Sequence, residues 1–113
     1  MSTTVLSARV TLYVPSTFDK GNPLPQGKHE SLVRHVARQF SQSFGGATCT
    51  TGQGFYVADN GDLIEERVTL VTSYHALETV EALAIVIPIA QVIKNLYGQE
   101  SIAIETEQGI QFI

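Results

Sequence analysis

The chain has 113 residues and one cysteine, Cys49, so no disulfide can close within it. A lone thiol suits a reducing compartment. Charge is scarce as well, at 16% of residues, and basic charge is the scarcer kind. Seven Lys and Arg face eleven Asp and Glu, for a net charge of -4 and a pI near 5.2. That balance argues against non-specific nucleic-acid binding, which needs a basic footprint. Long apolar runs are also missing. The longest, residues 82–90, is about half of what a bilayer span needs. The first residues hold no basic segment followed by an apolar run, so no secretory signal is read there. The expectation is a cytoplasmic protein with neither nucleic acid nor membrane as a partner.

The usual chemical signatures are absent too. Gly52-Gln53-Gly54 lacks the third glycine of a dinucleotide loop, and no lysine and hydroxyl follow it as in a Walker loop. No cysteine pair and no His-x-x-x-His spacing occurs. His29 and His35 are six residues apart, about 240° around a helix, and so do not share a face. No metal and no cofactor is expected. Cys49, between two threonines on a strand, reads as a buried structural thiol.

What is present is a regular alternation of elements. Hydrophobic residues make up 43% of the chain, enough for one real core and too apolar for disorder. Residues 5–14 alternate as a half-buried strand ended by Pro15. Residues 16–27 form a Pro- and Gly-rich loop with a turn at 19–22. Residues 28–44 have helical period, with Val33, Val36, Ala37, Phe40 and Phe44 on one stripe, and Gly45 supplies a left-handed cap. Residues 47–57 are a strand in which Gly52 and Gly54 suggest a bulge or a close backbone approach, and Phe55 reads as core. Asp59-Asn60-Gly61-Asp62 is a hairpin turn with positive φ expected at Asn60 and Gly61. Residues 63–74 are a third strand. Residues 77–97 are a second, almost all-round apolar helix that Pro88 should kink or split. Residues 101–105 are a fourth strand, and 110–113 a possible short edge strand.

The order βαββαβ with right-handed crossovers implies a single domain of ferredoxin-like α+β fold: a four-stranded antiparallel sheet with both helices on one face. Alternation then assigns Arg9, Thr11, Tyr13, Arg67, Thr69, Val71, Ala103 and Glu105 to the open face. RNA-recognition domains share this order, but the stacking aromatic pair they need on the central strands is missing. For catalysis the candidates are His75, Tyr13, Tyr56 and Arg67.

A first strand Leu-Tyr-Val-Pro, then Phe-Gly-Gly-Ala-Thr, Gly-Gln-Gly-Phe-Tyr, Asp-Asn-Gly, Glu-Glu-Arg-Val-Thr-Leu-Val and Tyr-Gly-Gln-Glu-Ser-Ile follow one another along the chain. This layout resembles a group of small bacterial proteins, the DUF3574 family of unknown function. The resemblance covers residues 10–104. It departs at the long apolar second helix with Pro88, where that family tends to be shorter and more polar. It implies no activity, and so no catalytic residues.

Charge is divided unevenly. Up to Gly45 five basic and two acidic residues give +3; from Gly46 on two basic and nine acidic residues give -7. With no catalytic set in view, the expected function is a non-enzymatic binding or regulatory module acting as a homo-oligomer. Arg34 and Arg38 would meet Glu78 and Glu81 of a neighbour. The alternatives are a small enzyme of the dimeric ferredoxin-like barrel type, with a pocket between sheet and helices, and a phage or mobile-element protein that binds a host protein. A protein partner or small-molecule ligand is compatible with each.

Overall fold

The computed structural model describes residues 3–19 and 21–113. Met1 and Ser2, at the start of the stretch read for a signal, and Lys20, in the turn expected at 19–22, lie outside the described residues. Strand β1 (Ala8–Pro15) is the centre of the sheet. Its alternation holds: Val10, Leu12 and Val14 are fully buried on one side. The loop after it carries a small ladder, β2 (Thr17–Phe18) against β3 (Asn22–Pro23). Helix α1 (Gln26–Phe44) follows, two residues longer at its start than expected, and Gly45 caps it at φ 94°.

Strands β4 (Thr48–Val57) and β5 (Leu63–His75) form a long hairpin, and β5 pairs with β1. Helix α2 (Thr79–Leu96) leads to β6 (Ala103–Thr106) and β7 (Gly109–Phe112). The result is an α+β fold: one five-stranded antiparallel sheet, ordered β4-β5-β1-β6-β7, with two helices. The four-stranded sheet expected from sequence is one strand short. Gly109, at φ 129°, turns the chain straight back, so that β7 pairs with β6 and extends the edge.

The core lies between the sheet and the helices. α1 contributes His29, Leu32, Val36 and Phe40, spaced three and four apart on one stripe. α2 contributes Ala82, Val86, Ala90 and Ile93. α2 runs through Pro88 as one helix instead of splitting there. Pro88 and Ala84, whose carbonyl it leaves without an intrahelical partner, are both exposed, so the freed group faces solvent instead of the core. With 18 residues at a mean hydropathy of 1.5, α2 is long and apolar enough to cross a membrane by length and composition. Reading the run 82–90 alone understates it.

The hairpin corrects three further expectations. Its register is unbroken from Thr48–Thr72 to Val57–Leu63, so neither Gly52 nor Gly54 is a bulge. The close approach is real at Gly52, where an added Cβ would stand 3.1 Å from Leu70 Cδ1. In the turn only Gly61 has positive φ (91°); Asn60 instead accepts a hydrogen bond from the Asp62 N–H at 3.0 Å. Beyond the Pro15–Val68 pair the hairpin leaves the sheet as a two-stranded arm. Phe55 therefore lies exposed, as do Tyr56, Val57 and Leu63, and is not core.

Candidate active site

Residues directly opposite in an antiparallel pair share a face. Val10 opposes Ser73, Leu12 opposes Val71 and Val14 opposes Thr69, so Thr69, Val71 and Ser73 face the helices. Thr69 and Val71 are buried there, and Arg67 follows the same parity. The open face of β5 is instead Glu66, Val68, Leu70, Thr72 and Tyr74. Three of the eight open-face assignments, Arg67, Thr69 and Val71, are thus reversed. The reason is physical: β5 carries apolar side chains on both faces, so alternation alone has no preferred phase.

On β1 and β6 the assignment stands, and it builds a cluster. Glu105 Oε1 accepts a hydrogen bond from the Tyr13 hydroxyl at 2.6 Å, the short length of a charge-assisted contact. Glu105 Oε2 accepts from Arg9 Nη2 at 3.5 Å. The hydroxyls of Thr11 and Thr72 pair at 2.7 Å alongside. The bond to Glu105 holds the Tyr13 phenol protonated, and burial and the Glu105 charge push its pKa the same way; Arg9 opposes.

Tyr13 is also one wall of a cleft of about 190 Å³ on this face. Glu66, Val68, Gly54, Ala103 and Phe112 line it too, and Gln99 and Ser101 enter from the loop before β6. Glu66 accepts from the Thr17 hydroxyl at 2.5 Å, so the β2 turn sets its position. One carboxylate, Glu66, faces the cleft between the Tyr13 and Phe112 rings; the second, Glu105, lies behind Tyr13 and is ion-paired with Arg9.

The other candidates lie elsewhere. Tyr56 sits on the arm, Arg67 faces away, and His75 is buried at the far end of β5 against Phe44. His75 Nδ1 accepts from the Leu77 N–H at 3.1 Å, which makes it a loop cap between β5 and α2. Arg34, Arg38, Glu78 and Glu81 are exposed on the helices. Cys49, on the edge strand β4, is exposed, not buried; partial desolvation still raises its pKa. His29 ties α1 to the sheet: Nδ1 lies 3.0 Å from the Pro15 carbonyl and Nε2 2.9 Å from Thr69 Oγ1. Glu66 is not among the catalytic candidates named from sequence. Its signal was its even spacing from Val68 and Leu70, which places all three on one face.

No family model and no curated protein matches the chain. Two solved structures do. A phage SAM lyase in complex with S-methyl-5'-thioadenosine superposes with a TM-score of 0.68 at 16% identity, over 94% of this chain and 88% of that one. A phage SAM lyase in the apo state gives 0.67 at 17% identity, over 94% and 87%. At this identity the likeness shows the fold. The fold is one that an enzyme uses over nearly its whole length, and this overturns the expectation of a non-enzymatic binding or regulatory module.

Proposed function

We propose that the chain is a lyase acting on S-adenosylmethionine, with the open-face cleft as its site. The observation that carries this reading is the likeness to the phage SAM lyase over 94% of the chain. The chemistry of the cleft agrees with it. S-adenosylmethionine is a sulfonium cation with a planar base. Glu66 supplies negative charge for the sulfonium; Tyr13 and Phe112 supply surface for the adenine.

In the reaction the bond between sulfur and the aminobutyrate carbon breaks, and both its electrons pass to sulfur. S-methyl-5'-thioadenosine leaves uncharged. The four-carbon fragment balances by losing a proton to a base or by closing its own carboxylate onto the same carbon. The sulfur is already a good leaving group, so the protein's part is to hold the cation, exclude water and orient the fragment. Glu66, anchored by Thr17, is the carboxylate that faces the cleft; Glu105, held by Tyr13 and Arg9, sits behind it.

Purified protein incubated with S-adenosylmethionine should release S-methyl-5'-thioadenosine, resolved by chromatography. Glu66→Gln should lower the rate at least about a hundredfold, in the range of a lost electrostatic group. Release no faster than in buffer, by folded protein, would refute the reading.

Two structural readings accompany this one. We infer that the inner four strands with their crossover helices are a ferredoxin-like core, supported by the order β4-β5-β1-β6. We also propose self-association through the β4–β5 arm, supported by the exposed apolar side chains of Phe55, Tyr56, Val57 and Leu63.

A further inference from the structure

The loop between α2 and β6 enters the open-face cleft with two polar side chains, Gln99 and Ser101. Gln99 is held from several sides. Its backbone N–H donates to the Lys94 carbonyl at 3.0 Å, at the end of α2. Its side-chain Nε2 donates to the Thr17 carbonyl at 2.7 Å and to the Tyr97 carbonyl at 3.3 Å. The Tyr97 carbonyl also accepts from the Asp19 N–H at 2.9 Å, so the β2 turn and this loop are laced together. Carbonyls only accept, which gives the amide one orientation. Both Nε2 hydrogens go to the backbone, and Oε1 is turned away from them. Oε1 has no hydrogen-bond partner among the described residues, and it is not one of their buried unpaired side-chain atoms, which are Gln39 Oε1 and His75 Nε2. The residue therefore brings to the cleft a fixed, open acceptor whose own donors are committed elsewhere.

Ring surface lies beside the same loop. Phe112 pairs with Ala103, two residues beyond Ser101, whereas Glu66 is on β5, two strands away from β6. Two ladder spacings are about 10 Å. A carboxylate at one end, and a ring beside a hydrogen-bond acceptor at the other, match an adenine nucleoside with a cationic sulfur. We infer that Gln99 is the specificity residue for the base: its Oε1 accepts a hydrogen bond from the 6-amino group of an adenine stacked on Phe112. This rests on the lyase reading, which puts the nucleoside in the cleft. Hypoxanthine has an oxygen at that position, and two acceptors then face each other. Turning the amide over to offer Nε2 would break both of its backbone bonds and set Oε1 against two carbonyls. The Ser101 hydroxyl rotates to donate or accept, so it serves either base and does not discriminate.

The test uses the whole chain and three neutral nucleosides: S-methyl-5'-thioadenosine and its counterparts with oxygen or hydrogen in place of the 6-amino group. None carries a sulfonium or a bond to be cleaved, so the result is independent of turnover. Affinity is read by titration calorimetry, and methyl NMR of Val68 and Ala103 reports the cleft. The adenine compound should bind at least about tenfold more tightly than the 6-hydrogen compound, which lacks the donor, and at least about a hundredfold more tightly than the 6-oxo compound, which opposes the acceptor. Gln99→Met should collapse these ratios. Ser101→Ala should weaken all three alike and leave the ratios as they are. A Gln99 that only braces the loop would, on substitution, lower all three affinities equally and keep the ratios, and that result would overturn the inference. So would equal binding of the three by the wild type, no binding of any, or methyl shifts outside the cleft. Cleavage of S-adenosylmethionine without base preference would refute this inference and leave the lyase reading; base preference without cleavage would do the reverse.

Discussion

Tyr13 and Glu105 are the residue pair on which the open-face site turns. The Glu105 carboxylate accepts the phenol's proton bond, so the protonated phenol is favoured and its pKa is raised. A group raised in the folded state stabilises below its unfolded value, about 10, and loses that contribution as pH climbs through the folded value. Glu105→Gln should therefore move the Tyr13 titration downward, read from the tyrosinate absorbance; an unchanged midpoint would disprove the coupling. Glu107 shows the opposite sign. The Thr79 hydroxyl, its own N–H and the Arg9 N–H hold its pKa at about 2, below the ordinary 4.5. Its contribution is present above about 4.5 and is lost as pH falls toward about 2. Thr79→Ala should raise the Glu107 midpoint, measured by carboxyl NMR, and narrow that acid-labile window. At this scale the sequence was legible where one face was apolar and the other was not: Val10, Leu12 and Val14 on β1 are buried, and Tyr13 faces outward with Glu105. It was not legible on β5, where Val68 and Leu70 outside match Val71 inside, and the phase came out reversed. His29 was also missed as core, since a histidine on a stripe carries no sign of the two hydrogen-bond partners that meet it.

At the scale of elements, helix packing is where stability concentrates. Phe40 is fully buried on α1 and meets Phe44 edge-on at 5.6 Å between centroids. Phe40→Ala should cost about 3–5 kcal/mol, read from urea denaturation. Pro88 works the other way. It withholds one backbone bond inside a continuous helix, so Pro88→Ala should stabilise by up to about 3 kcal/mol, with a higher Tm. A lower Tm would mean that the proline's ring packing outweighs the missing bond. The existence and order of β1, α1, β4, β5, α2 and β6 were readable from periodicity and turn chemistry. The fifth strand and the small β2–β3 ladder were harder to read, because two to four residues are too few to set a period. Likewise an unbroken α2 could not be read from the presence of Pro88, whose cost depends on which face of the helix it meets.

The whole molecule measures 56 × 28 × 25 Å, and much of its length is the two-stranded arm. An isolated ribbon with apolar residues on both faces is marginal in water until something covers it. If self-association runs through the arm, light scattering should show an oligomer that persists in high salt and that Tyr56→Lys disperses. An oligomer lost in high salt would point instead to the ionic contact of Arg34 and Arg38 with Glu78 and Glu81. The fold itself is shared with a phage SAM lyase, yet nothing in the linear order of residues announced chemistry. Its cleft is assembled from Tyr13, Glu66, Ala103 and Phe112, which come together only when three strands and an edge strand are in register. The most direct test is a single assay: S-adenosylmethionine incubated with the wild-type chain and with Glu66→Gln, each checked for folding, and followed for S-methyl-5'-thioadenosine. The account predicts product from the wild type and at least about a hundredfold less from the variant. Product at the same rate from both would remove the cleft as the site, and none from either would contradict the lyase reading itself.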